Sequence, residues 1–392
     1  MDKVIIFGAG RWGSMAYYFY ENKCDIICYV DNNKEKWGTL LHDKKIVSPE
    51  MLSDFKGKVV IALQTGLEQA EKELKSKYGI KQFLEFKAGQ TGKCLEEEQA
   101  FDDGCVVMEY AGGLGNQLFQ YALAKYLEHN GCKTAADITQ YAYLNMRKFE
   151  LGKIFRNSCL RYASHDTCEY FMRKDRVSQA ENLGERYIYI EPDIAQCVQY
   201  GVSMEWGRIK RGIVKGYFQT YLYADAIRHD LLECLEFPEA EDQQLRLLAD
   251  EIKRCVSVSV HIRRGDYLAE SERRMDGICD MQYYAQAIRM IRERVKNPRF
   301  YFFSDDILWC KENLKMNMND AVYIDSEMFQ NYEDWYDMYL MSRCKHNIIA
   351  NSSFSWWGAW LNDNEGRIVI APKKWDNFCR LTNICPPDWS RI

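Results

Sequence analysis

The sequence predicts an α/β protein built from doubly wound, Rossmann-like units: a small one at the amino end, then a larger α/β body. Three observations carry this prediction. Short apolar strands alternate with helical stretches over most of the chain, the pattern of parallel sheets covered by helices. A glycine turn, Gly8-Ala9-Gly10-Arg11-Trp12-Gly13, directly follows the first strand. A polar run with Glu96-Glu97-Glu98 and Asp102-Asp103-Gly104 then breaks the alternation, as a linker does.

The elements follow in order. Residues 4–7, 25–30 and 58–63 read as strands of the first unit, with a helix opening at Ser14, and the unit closes at residue 90. Residues 91–104 are the linker, and 105–392 the larger body. In the body, residues 106–110 form a strand, and 116–128 a helix with Leu118, Tyr121, Ala122 and Leu127 at helical spacing. Residues 137–215, rich in Tyr, Arg and Asp, show no period that assigns them. Regular alternation resumes at 256–262 (strand) and 281–295 (helix), then continues through strands at 300–303, 321–324, 347–350 and 368–371. The helices between them are 307–314, 335–344 and 356–361.

Composition excludes several classes. The 392 residues are 47% apolar and 28% charged, ordinary for a globular chain. A net charge of −5 is too weak to hold nucleic acid by phosphate neutralisation. No apolar run approaches the ~20 residues of a membrane span, and the start lacks the form of a signal peptide. These features place the chain in the cytoplasm, with at most peripheral membrane association. The 15 cysteines contain no Cys-x-x-Cys, and the six histidines no His-x-x-x-His, so no metal site is expected.

Four strand ends of the body carry residues that suit chemistry, and ligands of such sheets bind beyond the carboxyl ends of strands. The first is Gly112-Gly113-Leu114-Gly115-Asn116-Gln117, where glycines allow close backbone approach and the following helix offers free N–H groups. An ordinary glycine turn with Asn116 as helix cap explains it equally well. The second is His261-Ile262-Arg263-Arg264-Gly265-Asp266. His261 shares a strand face with Ser257 and Ser259, and the two arginines point apart, one toward phosphate oxygens and one toward Asp266. The third, Ser304-Asp305-Asp306, offers either a carboxylate for a guanine edge or a cap for the next helix. The fourth, Asn351-Ser352-Ser353-Phe354-Ser355-Trp356-Trp357, combines hydroxyls and a helix start suited to anions with a tryptophan pair that reads as core packing or as a sugar platform. No Asp-x-Asp occurs in the chain, which leaves arginine to neutralise any diphosphate.

In the amino-terminal unit, Gly8, Gly10 and Gly13 have dinucleotide-fingerprint spacing, and Asp31 ends the next strand. A nucleotide such as NAD fits that pattern. The unit spans only about half of a full dinucleotide fold, however, and offers no partner for hydride transfer.

The stretch from Gly112 to Ala122, the His261–Tyr267 block, Phe303-Ser304-Asp305-Asp306, Asn351 to Trp360 and Pro387-Asp388-Trp389 together resemble the bacterial α-1,2-fucosyltransferases. The resemblance covers roughly residues 104–392. It implies a GT-B-like body of two facing Rossmann-like halves, GDP-β-L-fucose as donor, and a galactose-containing glycan or lipid-linked oligosaccharide as acceptor. It also implies inversion at the anomeric carbon with no required metal or cofactor. Under it Arg263 holds the donor diphosphate, Arg264 and Asp266 support it, and His261 lines the nucleotide cleft. Asn116 and Gln117, with Gly113 and Gly115, face the sugar–diphosphate region, and Ser353, Phe354 and Ser355 face the phosphates. Asp266 is the candidate base, with an orienting partner of Arg264 as its structural alternative. Residues 1–90 resemble instead the front domain of bacterial sugar acyltransferases. Two other functions stay open on the residues alone: an NAD-dependent sugar-nucleotide oxidoreductase and a non-catalytic sugar-nucleotide sensor, both led by residues 1–90.

Overall fold

The computed structural model describes residues 2–21, 24–63, 67–86, 105–143, 147–163, 187–190, 212–265, 279–314, 321–375 and 383–392. These form three sheets. The first is β3-β4-β2-β1-β5-β6, from β1 (Lys3–Phe7), β2 (Asp25–Val30), β3 (Leu40–Leu41), β4 (Lys44–Val47), β5 (Lys58–Ile61) and β6 (Phe83–Glu85). All its pairings are parallel except the β3–β4 hairpin. Helices α1 (Arg11–Tyr20) and α2 (Leu67–Tyr78) accompany it. Apart from β3 its strands run three, two, one, four, five, so the unit carries more of the dinucleotide topology than its length suggests. The expected linker lies outside the described residues.

The second sheet is wholly parallel, β8-β7-β10-β9, from β7 (Cys105–Glu109), β8 (Lys133–Asp137), β9 (Tyr187–Ile190) and β10 (Gly212–Lys215). It carries α3 (Leu114–His129), α4 (Thr139–Tyr143) and α5 (Leu151–Ile154). After β10 the chain runs through α6 (Tyr221–Ala226), α7 (Arg228–Cys234) and α8 (Gln243–Arg254). Asp242 caps α8 by accepting from the N–H groups of Gln244 and Leu245, which are among the donors a helix start leaves unpaired.

The third sheet is β13-β12-β11-β14-β15-β16, again parallel throughout: β11 (Ser257–Ile262), β12 (Arg299–Ser304), β13 (Ala321–Tyr323), β14 (His346–Ile348), β15 (Val369–Ala371) and β16 (Ser390–Arg391). Its helices are α9 (Met281–Arg294), α10 (Ile307–Asn313), α11 (Trp335–Arg343) and α12 (Ser353–Trp360). Every residue of β11 is buried, as expected of a central strand covered on both faces. Its two inward serines are tied off: Ser257 Oγ donates to Ile252 O, and Ser259 Oγ accepts from the fully buried Asn347.

The second and third sheets share one core. Phe119 of α3 lies 4.5 Å from Trp356 and 5.2 Å from Trp357 of α12, ring centre to ring centre. Trp356, Trp357 and Trp360 are fully buried. At ~25 cal/mol per Å² over the ~200 Å² of an indole, each burial is worth on the order of 5 kcal/mol. A water-exposed sugar platform would forgo that, so the tryptophans weld the two halves. Two Rossmann-like halves joined with their strand ends together is the body the sequence led us to expect. Among the described residues, no helix is long and apolar enough to cross a membrane.

Candidate active site

The third sheet, numbered by its own strands, runs three, two, one, four, five, six, so its winding reverses between β11 and β14. The second reverses between β7 and β10. Ligands of such sheets lie in the crevice at that reversal. Arg263 follows β11 and Asn351 follows β14, while Asn116 follows β7 and Gln219 follows β10. All four lie beyond the reversing strands.

The turn after β7 is shaped by its glycines in three different ways. Gly112 has φ +77, a left-handed conformation that favours glycine, and a Cβ there would stand 2.6 Å from Asn116 Nδ2. Gly113 caps α3 with no side chain and has open space around it. Gly115 is the point of contact between halves. A Cβ on it would lie 2.5 Å from the Ser353 carbonyl carbon and 2.6 Å from Phe354 N. The amino ends of α3 and α12 therefore meet, each carrying the partial positive charge of its unpaired N–H groups. Ser352 caps α12 without a side-chain hydrogen bond, and Ser355 Oγ donates to Ser352 O. Two positive helix ends abutting one another suit an anion between or beside them. Gly115 thus serves helix approach, and Gly113 is the glycine with room for a ligand.

Gln117 differs from the expectation. It is fully buried, its Nε2 donates to Gly112 O (3.0 Å) and Lys148 O (2.8 Å), and its Oε1 accepts from Glu150 N (2.9 Å) and Leu151 N (3.1 Å). Two donors and two lone pairs are all an amide has, so none remains for a donor substrate. It fastens the glycine turn to residues 148–151. That segment also grips the amino-terminal unit, through Lys148 to Asp43 (2.5 Å) and Phe149 N–H to the Tyr18 hydroxyl (3.4 Å).

Asn116 is partly exposed. Its Oδ1 accepts from Gln219 Nε2 at 2.8 Å, and Gln219 Oε1 accepts from Trp375 Nε1 at 3.3 Å. Gln120, fully buried, ties the ends of β7 and β10 by accepting from Ala111 N and donating to Gly216 O. Sequence reasoning missed Gln120, Gln219 and Trp375. Only Gln120 carried a local signal, one turn beyond Asn116 on the same helix.

The arginine loop follows the capping alternative at Asp306 and departs from the guanine-edge alternative at Asp305. Asp305 does not stand open for a guanine edge. Instead its oxygens accept from Arg264 N (2.9 Å) and Gly265 N (3.0 Å) and pair with Arg263 Nη1 (3.2 Å). Asp306 caps α10 by accepting from Trp309 N and pairs with Arg264 Nε at 3.3 Å. The Arg264 guanidinium stacks 3.5 Å from the centre of the Trp309 ring. Arg264 is thus held by Asp306 and Trp309. Asp266, its expected partner and the candidate base, lies outside the described residues. Arg263 keeps only a fifth of its side chain exposed and stays on the β11 rim.

His261 is buried on that rim, its ring 6.0 Å from that of Phe354. Burial first, then the Arg263 charge, push its pKa down to about 3, so the ring is neutral at physiological pH. Its Nδ1 is buried without a hydrogen-bond partner among the described residues.

In the amino-terminal unit the three glycines divide the fingerprint's tasks. Gly8 has φ +109 and touches Ala62 O, Gly13 packs onto Gly8 O, and Gly10 faces open space. Asp31, however, accepts from Ala9 N (2.8 Å), Asn33 N (2.8 Å) and Lys36 Nζ (3.0 Å). The carboxylate that would hold a ribose is already engaged.

A model of the family described as Glycosyl transferase family 11 matches residues 173–392. The chain belongs to that family. It is a glycosyltransferase of α-1,2-fucosyltransferase type, and residues 1–82 match a second family, C2185-like, N-terminal. An Escherichia coli alpha-1,2-colitosyltransferase is 35% identical over 301 residues, covering 73% of this chain and 98% of that one. The Escherichia coli O-antigen biosynthesis glycosyltransferase WbnK is 30% identical over 307 residues, with 69% and 96% covered. Human galactoside alpha-(1,2)-fucosyltransferase 1 is 34% identical over 119 residues, 30% of this chain and 32% of that one. The structure of an Arabidopsis thaliana FUT1 mutant in complex with GDP covers 79% of this family 11 chain and 76% of its own. Its identity is 15% and its TM-score 0.37, a distant likeness of shape.

Proposed function

We propose that this family 11 glycosyltransferase moves L-fucose from GDP-β-L-fucose to the 2-hydroxyl of a galactose residue, with inversion and without a metal ion. The observation that carries this reading is the meeting of the α3 and α12 amino ends at Gly115, with Arg263 on the rim of the third sheet, just past His261, whose ring lies beside Phe354 of α12. Breaking a glycosyl–diphosphate bond leaves an oxocarbenium-like sugar and moves negative charge onto the nucleotide. Donors fixed in advance where that charge grows stabilise the transition state more than the ground state. Main-chain N–H groups of two helices and one guanidinium are such donors.

In this reading Arg263 binds the diphosphate while Asp305 fixes its direction. Ser353 and Phe354 present N–H groups to the phosphates, and the neutral His261 lines the nucleotide cleft. Asp266 or the departing phosphate takes the acceptor's proton. The acceptor is a galactose-ended glycan or a lipid-linked oligosaccharide, met in the cytoplasm at the inner face of a membrane. The match to a protein named a colitosyltransferase supports a deoxyhexosyl donor of this general type. With Asp31 already engaged by Lys36, NAD is not part of the reaction we propose.

Thermal shift with GDP, GDP-fucose, GDP-colitose and NAD, followed by linkage analysis of products on a panel of galactosides, tests the proposal. Stabilisation by GDP and an α-1,2-linked fucoside are expected. Stabilisation by NAD alone would return the oxidoreductase reading. GDP-fucose binding without turnover on any galactoside would favour a sensor.

A further inference from the structure

The geometry points to Gln219 and Trp375 as positioning residues for the transfer: a hydrogen-bond relay from Trp375 through Gln219 turns the Asn116 amide so that its NH2 faces the Gly112 turn. The inference rests on the donor-site reading above.

The direction of the relay follows from its far end. An indole N–H can only donate. Trp375 Nε1 therefore demands an acceptor, which is Gln219 Oε1 at 3.3 Å. The rest of the Gln219 amide is then a donor, and it finds Asn116 Oδ1 at 2.8 Å. With its oxygen taken, Asn116 must point its NH2 the other way. That nitrogen lies over Gly112, where a Cβ would be only 2.6 Å from it, and no described residue accepts from it.

The anchor of the relay is set in the opposite half of the body. Trp375 is buried beyond β15, and its carbonyl accepts from Asn351 Nδ2 at 3.2 Å. Asn351 immediately precedes Ser352, the cap of α12. The relay thus runs from the α12 entrance, across the join, past the end of β10 and onto the end of β7. Its members are all neutral, so its orientation does not titrate. A donor amide held this way favours an accumulating negative charge, and an amide turned over would present a carbonyl to it.

The test uses the full chain and three variants. Gln219→Glu keeps an acceptor for Trp375 but opposes Asn116 Oδ1 with a second acceptor. Trp375→Phe keeps an aromatic ring, a smaller one, and removes the N–H that sets the direction. Asn116→Ala removes the end of the relay, and Gln219→Glu is also made in that background. The readouts are kcat, KM for GDP-fucose, the GDP dissociation constant and the melting temperature. We expect Gln219→Glu to lower kcat by about 10- to 100-fold with a smaller change in KM. Trp375→Phe should act in the same direction, and Gln219→Glu should cost less than about 2-fold once Asn116 is alanine. Equal losses in both backgrounds, or near-normal kcat in both Gln219→Glu and Trp375→Phe, overturn the relay while the donor reading stands. Should Gln219→Glu fail to fold, Trp375→Phe decides alone. If wild type binds GDP but transfers to no galactoside, the proposed reaction fails and the same cycle is read from GDP affinity. Failure of wild type to bind GDP overturns both together.

Discussion

Gly115 of α3 lies against Ser353 of α12 so closely that one added methyl would sit 2.5 Å from the Ser353 carbonyl carbon. The two halves of the body come from chain segments more than two hundred residues apart, and they touch here at their helix amino ends. Everything proposed for the diphosphate depends on that approach.

Gly115→Ala is therefore expected to wedge the halves apart. Backbone sits behind the contact and cannot swing away as a flexible side chain would. Overpacking of this kind costs about 1–3 kcal/mol. The variant should melt several degrees lower and lose most transfer activity, whereas Gly113→Ala, with open space at its Cβ, should melt near wild type. Equal melting of wild type and Gly115→Ala would contradict the packing seen here.

Arg263→Ala should abolish transfer and spare the fold. Its removal leaves Asp305 still bonded to the N–H groups of Arg264 and Gly265, so the stability cost should be on the order of 1 kcal/mol. Lost charge at the leaving diphosphate should lower kcat by about 100-fold or more. Circular dichroism and steady-state kinetics check both halves of the statement, and near-normal turnover would remove Arg263 from the mechanism.

Transfer is expected to survive EDTA. The chain has no Asp-x-Asp, and both carboxylates of the Asp305-Asp306 pair are already committed to the arginine loop. Assays with excess chelator, then with added manganese, measure this. Complete loss that manganese restores would assign the diphosphate to a cation instead.

Asp337 should contribute a fall in stability as pH rises from about 4 to 7. That is opposite in sign to the buried His261 and the half-buried His42, whose lowered pKa values favour the folded chain as pH rises. Burial above all, with the nearby Asp334 adding and a hydrogen bond with Tyr332 opposing, raises the Asp337 carboxyl to about 7. Its Oδ1 is sealed without a partner among the described residues. The folded chain thus keeps a proton that the unfolded chain has released across that window, so raising pH favours unfolding. Glu21 and Glu150, each raised to about 7 chiefly by burial, act with the same sign. Asp337→Asn should melt higher than wild type at pH 8 and about the same at pH 4.5. A melting curve series across pH that shows no such divergence would sink the assignment.

Much of the chain could be read without coordinates. Strand-then-glycine spacing marked Gly8, Gly10 and Gly13, and the alternation of Val and Ser along β11 placed His261 on the serine face. The motifs around Gly112, Arg263 and Asn351 pointed to the family. These features are legible because they are local: a period of two, a left-handed turn or a capped helix is written within a few residues. The expected roles of Asp305, Asp306 and Gln117 were less secure for the same reason. An Asp beside a strand end looks alike whether it faces a guanine or the N–H groups of Arg264 and Gly265.

The amino-acid order by itself determined the α/β class and the strand ends that carry polar residues. Only the tertiary structure decided which polar groups remain available. Gln117 spends its amide on residues 148–151, while Asn116, its neighbour, keeps an NH2 toward the turn. Hydrogen-bond capacity is finite and is claimed by whichever partner folding brings within reach, and such partners lie as far apart in the chain as Gln219 and Trp375, or Lys153 and Glu333.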